Sequence, residues 1–148
     1  MTLAPPASSP PPLDQRRYVR EMFSAIAPRY DLLNHLLSLN IDRRWRRLAV
    51  DRLGWERRPG GAYLDACAGT LDLAAELARR AAFAGKVIAA DFAPAMLRLG
   101  AGKAPPDAVR VAAADTLQLP FAAATFDGAT VGFGVRNLAD LDGGLAEL

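Results

Sequence analysis

The chain has 148 residues, of which 51% are hydrophobic and 23% charged, the size and balance of one globular domain with a single core. No apolar run approaches the roughly 20 residues that cross a bilayer, and Met1 to Leu13 lacks the basic-then-apolar order of a secretory signal. The net charge of +2 hides an asymmetry: 11 arginines face six acids up to Gly60, whereas seven bases face ten acids from Gly61 onward.

Residues 1–13 carry five prolines and little to bury, so they are expected to form a disordered leader. Residues 14–58 read as a helical cap. Asp14 is a plausible start for a helix with Val19, Met22, Phe23 and Ile26 at helical spacing, and Pro28 ends it. Leu32, Leu33, Leu36 and Leu37 make a second apolar set. Asp42 is expected to cap a third helix carrying Trp45, Leu48, Ala49 and Leu53, with Gly54 just beyond. The arginines here suit anionic lipid head groups or nucleic acid, or simply solvated helix faces.

From residue 59 the pattern changes to alternating strands and helices. Strands are predicted at Ala62–Ala66, Lys86–Ala90, Val109–Ala113 and Asp127–Phe133, with helices at Leu71–Arg80, Pro94–Lys103 and Leu141–Leu148. Such alternation builds parallel sheets from βαβ units, covered on both faces, and these bind ligands beyond the carboxyl ends of the strands. Chemistry is therefore sought at the strand ends. One cysteine, Cys67, excludes an internal disulfide, and one histidine, His35, leaves too few soft ligands for zinc, so no metal is expected.

The first strand ends Asp65-Ala66-Cys67-Ala68-Gly69-Thr70. Gly69 lets the backbone approach a ligand, and the Thr70 hydroxyl with the amides of the next helix can donate to a carboxylate or phosphate. Asp65 and Asp72 repel a phosphate there and attract an ammonium or sulfonium. The second strand ends in Asp91, 22 residues after Gly69, near the ~20-residue spacing at which an acid holds a ribose hydroxyl. Nicotinamide and S-adenosylmethionine folds share that acid, so Asp91 alone does not separate them. Asp115, at the third strand end, suits the exocyclic amine of adenine. A single acid at a strand end is commonly a helix cap, but three in succession with a Gly-Thr turn make a site. The G-x-G-x-x-G fingerprint is absent, which favours S-adenosylmethionine over a dinucleotide.

Several segments also resemble the ubiquinone/menaquinone biosynthesis C-methyltransferases. The likeness runs from about Val19 to the end, through Tyr30-Asp31-Leu32-Leu33-Asn34, the loop Leu64–Leu73, Leu119-Pro120-Phe121, Thr125-Phe126-Asp127, and Phe133-Gly134-Val135-Arg136-Asn137. The resemblance implies an α/β, class I methyltransferase (Rossmann-like) fold, truncated after its fourth strand and preceded by the helical cap. It implies metal-free methylation of a ring carbon of a prenylated benzoquinol or naphthoquinol. Thr70, Asp91, Asp115 and Thr116 would contact the cofactor, Arg136 and Asn137 would face the quinol, and Tyr30 with the cap would cover it. Arg136, a poor base, would stabilise charge on the quinol oxygen, leaving the proton to a water or a carboxylate.

Leu71 stands where the family usually carries glycine, and its side chain is expected to crowd the methionine end of the pocket. Asp42 stands where the family has a histidine. The four strands are expected in the order 3-2-1-4, with the outer edge of the fourth bare and open to a second polypeptide completing the sheet. The expected location is cytoplasmic, with peripheral membrane contact compatible with the arginine-rich front and no nucleic-acid partner. An incomplete, non-catalytic fragment and a methyltransferase acting on another lipid or small molecule are the alternatives.

Overall fold

The computed structural model describes residues 17, 18, 20–22, 25 and 41–148. Of the first predicted helix, residues 17, 18, 20–22 and 25 are helical. The proline-rich leader, the second apolar set and Tyr30 lie outside the described residues.

Helix α1 (Ile41–Arg52) corresponds to the third predicted helix. Asp42 does not cap it. Residue 41 is already helical, and the Asp42 side chain is buried in the first turn, where it pairs with Arg46 one turn later at 2.8 Å. Gly54 follows in a left-handed conformation, and Trp55–Arg57 forms a 3-10 turn leading to the sheet.

Four strands, β1 (Ala62–Ala66), β2 (Lys86–Asp91), β3 (Val109–Ala113) and β4 (Gly128–Val131), form one parallel sheet in the predicted order β3-β2-β1-β4. Register pairs Ala66 with Ala90 and Val131, and Asp91 with Ala113, so the four carboxyl ends share one edge of the sheet. Helices α2 (Asp72–Ala78) and α3 (Pro94–Gly100) connect β1 to β2 and β2 to β3, and α4 (Leu141–Glu147) follows β4.

Element identities match the sequence reading, while several boundaries shift by one to three residues. Helix α2 begins one residue late because Leu71 is left-handed, at φ 66°. Helix α3 ends three residues early, and Lys103 beyond it turns its ammonium back to Thr70 and Asp72. Strand β4 stops at Val131 because the chain leaves the ladder at Gly132 and winds into a 3-10 helix over Phe133–Asn137.

Alternation along the strands divides the core into two layers. Tyr63, Val87, Ala89 and Val109 face Val50 of α1, Leu77 of α2 and Leu97 of α3. Burying each of the larger side chains contributes about 1.5–3 kcal/mol. Leu64, Ala66 and Ala90 point to the opposite face, where Leu119, Phe121 and Phe126 of the β3–β4 connection pack against them. The Phe121 and Phe126 rings meet edge to face with centroids 5.1 Å apart. At the other end of the sheet, Asp127 accepts from the Ala62 amide at 3.0 Å and from Arg58 at 2.6 Å, which fixes the start of β1. Those two donors, the amide first, hold the Asp127 carboxyl below its ordinary range.

Candidate active site

The shared carboxyl edge opens into a cleft lined by the turns that follow β1, β2, β3 and β4. Its floor is the turn after β1. Gly69 has φ 53°, a conformation that costs glycine little, and it presents bare backbone to the cleft. The Gly69 amide donates to Asp91 Oδ2 at 2.8 Å, and the Ala93 amide donates to Asp91 Oδ1 at 2.8 Å. Burial pushes the Asp91 carboxyl up, while these two amides pull it back. Each oxygen keeps a lone pair for a ligand hydroxyl.

Asp115 also lines the cleft, with Oδ1 held by the Leu117 amide at 2.9 Å, and the buried Thr116 lies beside it. Cys67 Sγ sits 3.3 Å from Thr116 Oγ1, which links the ends of β1 and β3 across the site. Burial raises the thiol pKa, so Cys67 is held as a neutral wall.

Asp65 is deeper than the other acids. It is 1% exposed, its Oδ2 accepts from the Ala74 amide at 3.0 Å, and its Oδ1 pairs with the Thr130 hydroxyl at 3.0 Å. Burial outweighs both bonds and pushes its carboxyl up to about 7. It forms part of the floor and caps α2 from below.

Thr70 is buried and takes a bond from Lys103 Nζ at 2.8 Å, while that ammonium also reaches Asp72 Oδ1 at 2.8 Å. Asp72 Oδ2 meets Arg46 Nη2 at 3.0 Å. Helix α1 is thereby tied to the start of α2. Arg46 and Lys103 carried no distinguishing mark in the sequence: Arg46 is one of five arginines on α1, and Lys103 lies 33 residues from Thr70. The i,i+4 spacing of Asp42 and Arg46 is the one local signal that could have singled out that guanidinium.

Leu71 does not crowd the cleft. Its side chain is buried away from the cleft, where a methyl group at Gly100 would stand 2.6 Å from its Cγ. The left-handed φ at this position explains why glycine suits it, and the Leu side chain is directed into the core instead.

The 3-10 turn after β4 forms the opposite wall. Phe133, Gly134 and Asn137 line the cleft, and a Cβ on Gly134 would lie 2.3 Å from Cys67 Cβ, so the wall and floor approach as closely as glycine allows. Arg136 is not among the lining residues. It is exposed at the rim, with its guanidinium 6.0 Å from the Phe133 ring centroid, and Phe133 in turn meets Trp45 of α1 at 6.1 Å. Among the described residues no group of three or more His, Cys, Asp or Glu is placed to hold a metal.

Among the described residues, four carboxylates (Asp65, Asp72, Asp91 and Asp115) and one base, Arg46, therefore surround one cleft. That balance disfavours a pyrophosphate and suits a ligand carrying hydroxyls, amines and positive charge beside one carboxylate. The family pattern of ubiE/COQ5 methyltransferases matches residues 13–148. The chain belongs to the ubiE/COQ5 methyltransferase family. It is 52% identical over 129 residues to the demethylmenaquinone methyltransferase of Thermus thermophilus, covering 86% of this chain and 57% of that protein. It is 43% identical over 134 residues to the ubiquinone/menaquinone biosynthesis C-methyltransferase UbiE of Citrifermentans bemidjiense, covering 88% of this chain and 56% of that protein. Likeness to the Deinococcus radiodurans demethylmenaquinone methyltransferase is 45% over 138 residues, or 91% and 56%. The chain thus spans little more than half the length of these relatives. No solved structure matches it.

The acids at the strand ends are chemically compatible with S-adenosylmethionine, the cofactor that the ubiE/COQ5 family implies. Asp91 offers two preoriented oxygens at the middle of the cleft, Asp115 offers one on the β3 side, and Gly69 leaves the backbone bare between them.

Proposed function

We propose that this chain is the cofactor-binding part of a methyltransferase that moves a methyl group from S-adenosylmethionine to a ring carbon of a prenylated quinol. One observation carries the reading: three adjacent parallel strands deliver Asp65, Asp91 and Asp115 to one cleft whose far wall is the Phe133–Asn137 turn. S-adenosylmethionine supplies an electrophilic methyl group when bound.

In this reading Asp91 accepts from the ribose hydroxyls, because both its oxygens are aimed by backbone amides. Asp115 accepts from the adenine amine beside Thr116, with Phe92, Met96 and Leu117 as apolar neighbours of the base. Asp65 supplies negative charge beneath the sulfonium end, and Gly69 and Thr70 shape the loop above it. Asn137 touches the quinol from the far wall. Arg136 reaches it from the rim, where its fixed charge stabilises the oxyanion that makes the neighbouring carbon nucleophilic. The proton leaves to water or to a carboxylate, since an arginine is a poor base. Tyr30 and the segment around it cover the ring. Most of the rate gain is then alignment of sulfur, methyl and carbon in one dry cleft.

The prenyl tail leaves past Trp45 and Phe133, which are about half exposed at the cleft mouth. Ile41, Trp45 and Leu48 lie on one exposed side of α1 next to Arg43, Arg44 and Arg47, a pattern that supports peripheral contact of a cytoplasmic enzyme with an anionic bilayer. Among the described residues no helix is long and apolar enough to cross a membrane. Strand β4 pairs with β1 alone among the described strands, and its other edge is proposed to take a further strand, as from a second polypeptide completing the sheet.

Calorimetry with S-adenosylmethionine and rescue of a strain lacking the quinone methylation step test the reading together. Binding with rescue is the expected result. A folded chain that ignores millimolar S-adenosylmethionine would overturn the cofactor assignment, and binding without rescue by either this chain or an extended form of it would overturn the substrate.

A further inference from the structure

The amino-acid end of S-adenosylmethionine carries an ammonium and a carboxylate, and a carboxylate entering a cleft lined by four acids needs a cationic partner. Among the described residues, Arg46 is the only basic one lining the cleft. Its side chain is 16% exposed, and Nη2 lies 2.8 Å from Asp42 Oδ2 and 3.0 Å from Asp72 Oδ2. Asp42 is itself 2% exposed, so the guanidinium is desolvated and held from behind by a buried charge.

Topology says which end of the ligand Arg46 meets. The strand order places Asp115 at β3, Asp91 at β2 and the Gly69–Asp72 turn at β1. With adenine at Asp115 and ribose at Asp91, the amino-acid end lies over β1. Arg46 touches Asp72 there. Three amides of that turn are already engaged: the Leu71 amide donates to Ala68 O at 2.9 Å, the Ala74 amide to Asp65, and the Ala75 amide to Leu71 O at 2.8 Å. An arginine offers five N–H donors in a planar fork, and the two contacts above both use Nη2.

We propose that Arg46 binds the carboxylate of the cofactor, which makes helix α1 a wall of the cofactor site as well as a cover for the substrate. This rests on the S-adenosylmethionine reading above. It also gives a physical role to the buried Asp42–Arg46 pair: the acid fixes the rotamer of a cation that must enter a negatively charged cleft. Engagement of the cofactor then stabilises the docking of α1 on α2, so cofactor binding and ordering of the substrate-side helix are coupled.

The test compares S-adenosylmethionine with its decarboxylated analogue, which keeps the sulfonium, the amine and the nucleoside. Affinities of both are measured by calorimetry for wild type, Arg46→Met and Arg46→Lys in the full chain. Wild type is expected to prefer the carboxylate-bearing ligand by about 10-fold or more, the scale of a charge-assisted bond. Arg46→Met should lose that preference while holding the analogue within about 3-fold, and Arg46→Lys should keep part of the preference. The Asp42→Asn/Arg46→Met pair, which strands no buried charge, should repeat the loss. Retention of the wild-type preference in both methionine variants overturns the inference, as does an equal loss of both ligands in the paired variant. Failure of wild type to bind either ligand would instead sink the cofactor reading beneath it.

Discussion

The Gly69 amide donates to Asp91 Oδ2 at 2.8 Å, so the turn after β1 is built on the last residue of β2. One oxygen of that carboxylate thus holds the loop that faces the cleft, and the other holds Ala93 at the start of α3. A residue chosen from sequence for ligand contact is also the support of the cradle.

Asp91→Asn should therefore weaken more than one contact. The amide presents one oxygen to two backbone donors, and leaving a buried N–H unpaired costs about 1–3 kcal/mol. S-adenosylmethionine affinity is expected to fall about 10- to 100-fold, accompanied by a lower melting temperature. Calorimetry and thermal denaturation measure the two effects, and unchanged values in both would remove Asp91 from the site.

Asp65 sets a pH dependence. Burial holds its carboxyl at about 7 in the folded chain against 3.8 when exposed, so the native state keeps a proton that the unfolded state releases. Its contribution to stability is full below pH 3.8, declines as pH rises, and is gone above about 7. The whole effect is on the order of 4 kcal/mol at about 1.4 kcal/mol per unit. Asp65→Asn preserves acceptance from Ala74 and a bond to Thr130 without a charge. Its stability relative to wild type should climb between pH 4 and 7, read from urea midpoints at each pH; a flat difference contradicts the assignment.

The same carboxyl should link protons to cofactor binding. A sulfonium above Asp65 favours its ionised form, so S-adenosylmethionine affinity is expected to rise with pH through about 7, and the slope should vanish in Asp65→Asn. Titration calorimetry in buffers of different ionisation heat reports the released proton directly.

Leu71 combines a left-handed backbone with a buried side chain. Leu71→Ala loses the packing and keeps the strain, for a cost of about 2–5 kcal/mol. Leu71→Gly loses the same packing but relieves about 1 kcal/mol of strain. The glycine variant should be the more stable of the two, opposite to the usual alanine advantage. Denaturant unfolding of the pair decides the point.

Gly134→Ala should push the far wall off the floor, because the new methyl would meet Cys67 Cβ at 2.3 Å. A loss of about 1–3 kcal/mol is expected, with reduced methyl transfer. Cys67 is itself left-handed, at φ 52°, so Cys67→Gly removes both the clash and a strain. The double variant should recover most of the lost stability, and failure to do so would show that the wall is held by other contacts.

Strand identities were legible because buried parallel strands such as Ala62–Ala66 and Val109–Ala113 are short apolar runs bounded by turn residues, and both were placed to the residue. Boundaries failed where a side chain or a backbone angle, and not apolar pattern, ended the element: the φ of Leu71, the return of Lys103 to Thr70, and the break at Gly132. Asp42 was misread for a similar reason. A carboxylate near a helix start looks like a cap, and only the position of Arg46 against Asp72 shows it to be a buried counter-charge.

By itself the sequence determined the parallel α/β architecture and the acids Asp65, Asp91 and Asp115 at the strand ends, since period, turn chemistry and chain direction are local properties; the strand order was expected only from the usual order of the fold. The tertiary structure decided how those acids differ. Asp65 is buried beneath α2, Asp91 is shared between a turn and a helix, and Asp115 is held by its own loop. It also decided that Arg46 lines the cleft while Arg136 stands at its rim. Burial and charge pairing depend on residues far apart in the chain, and their energies are set by what folding brings within a few ångströms.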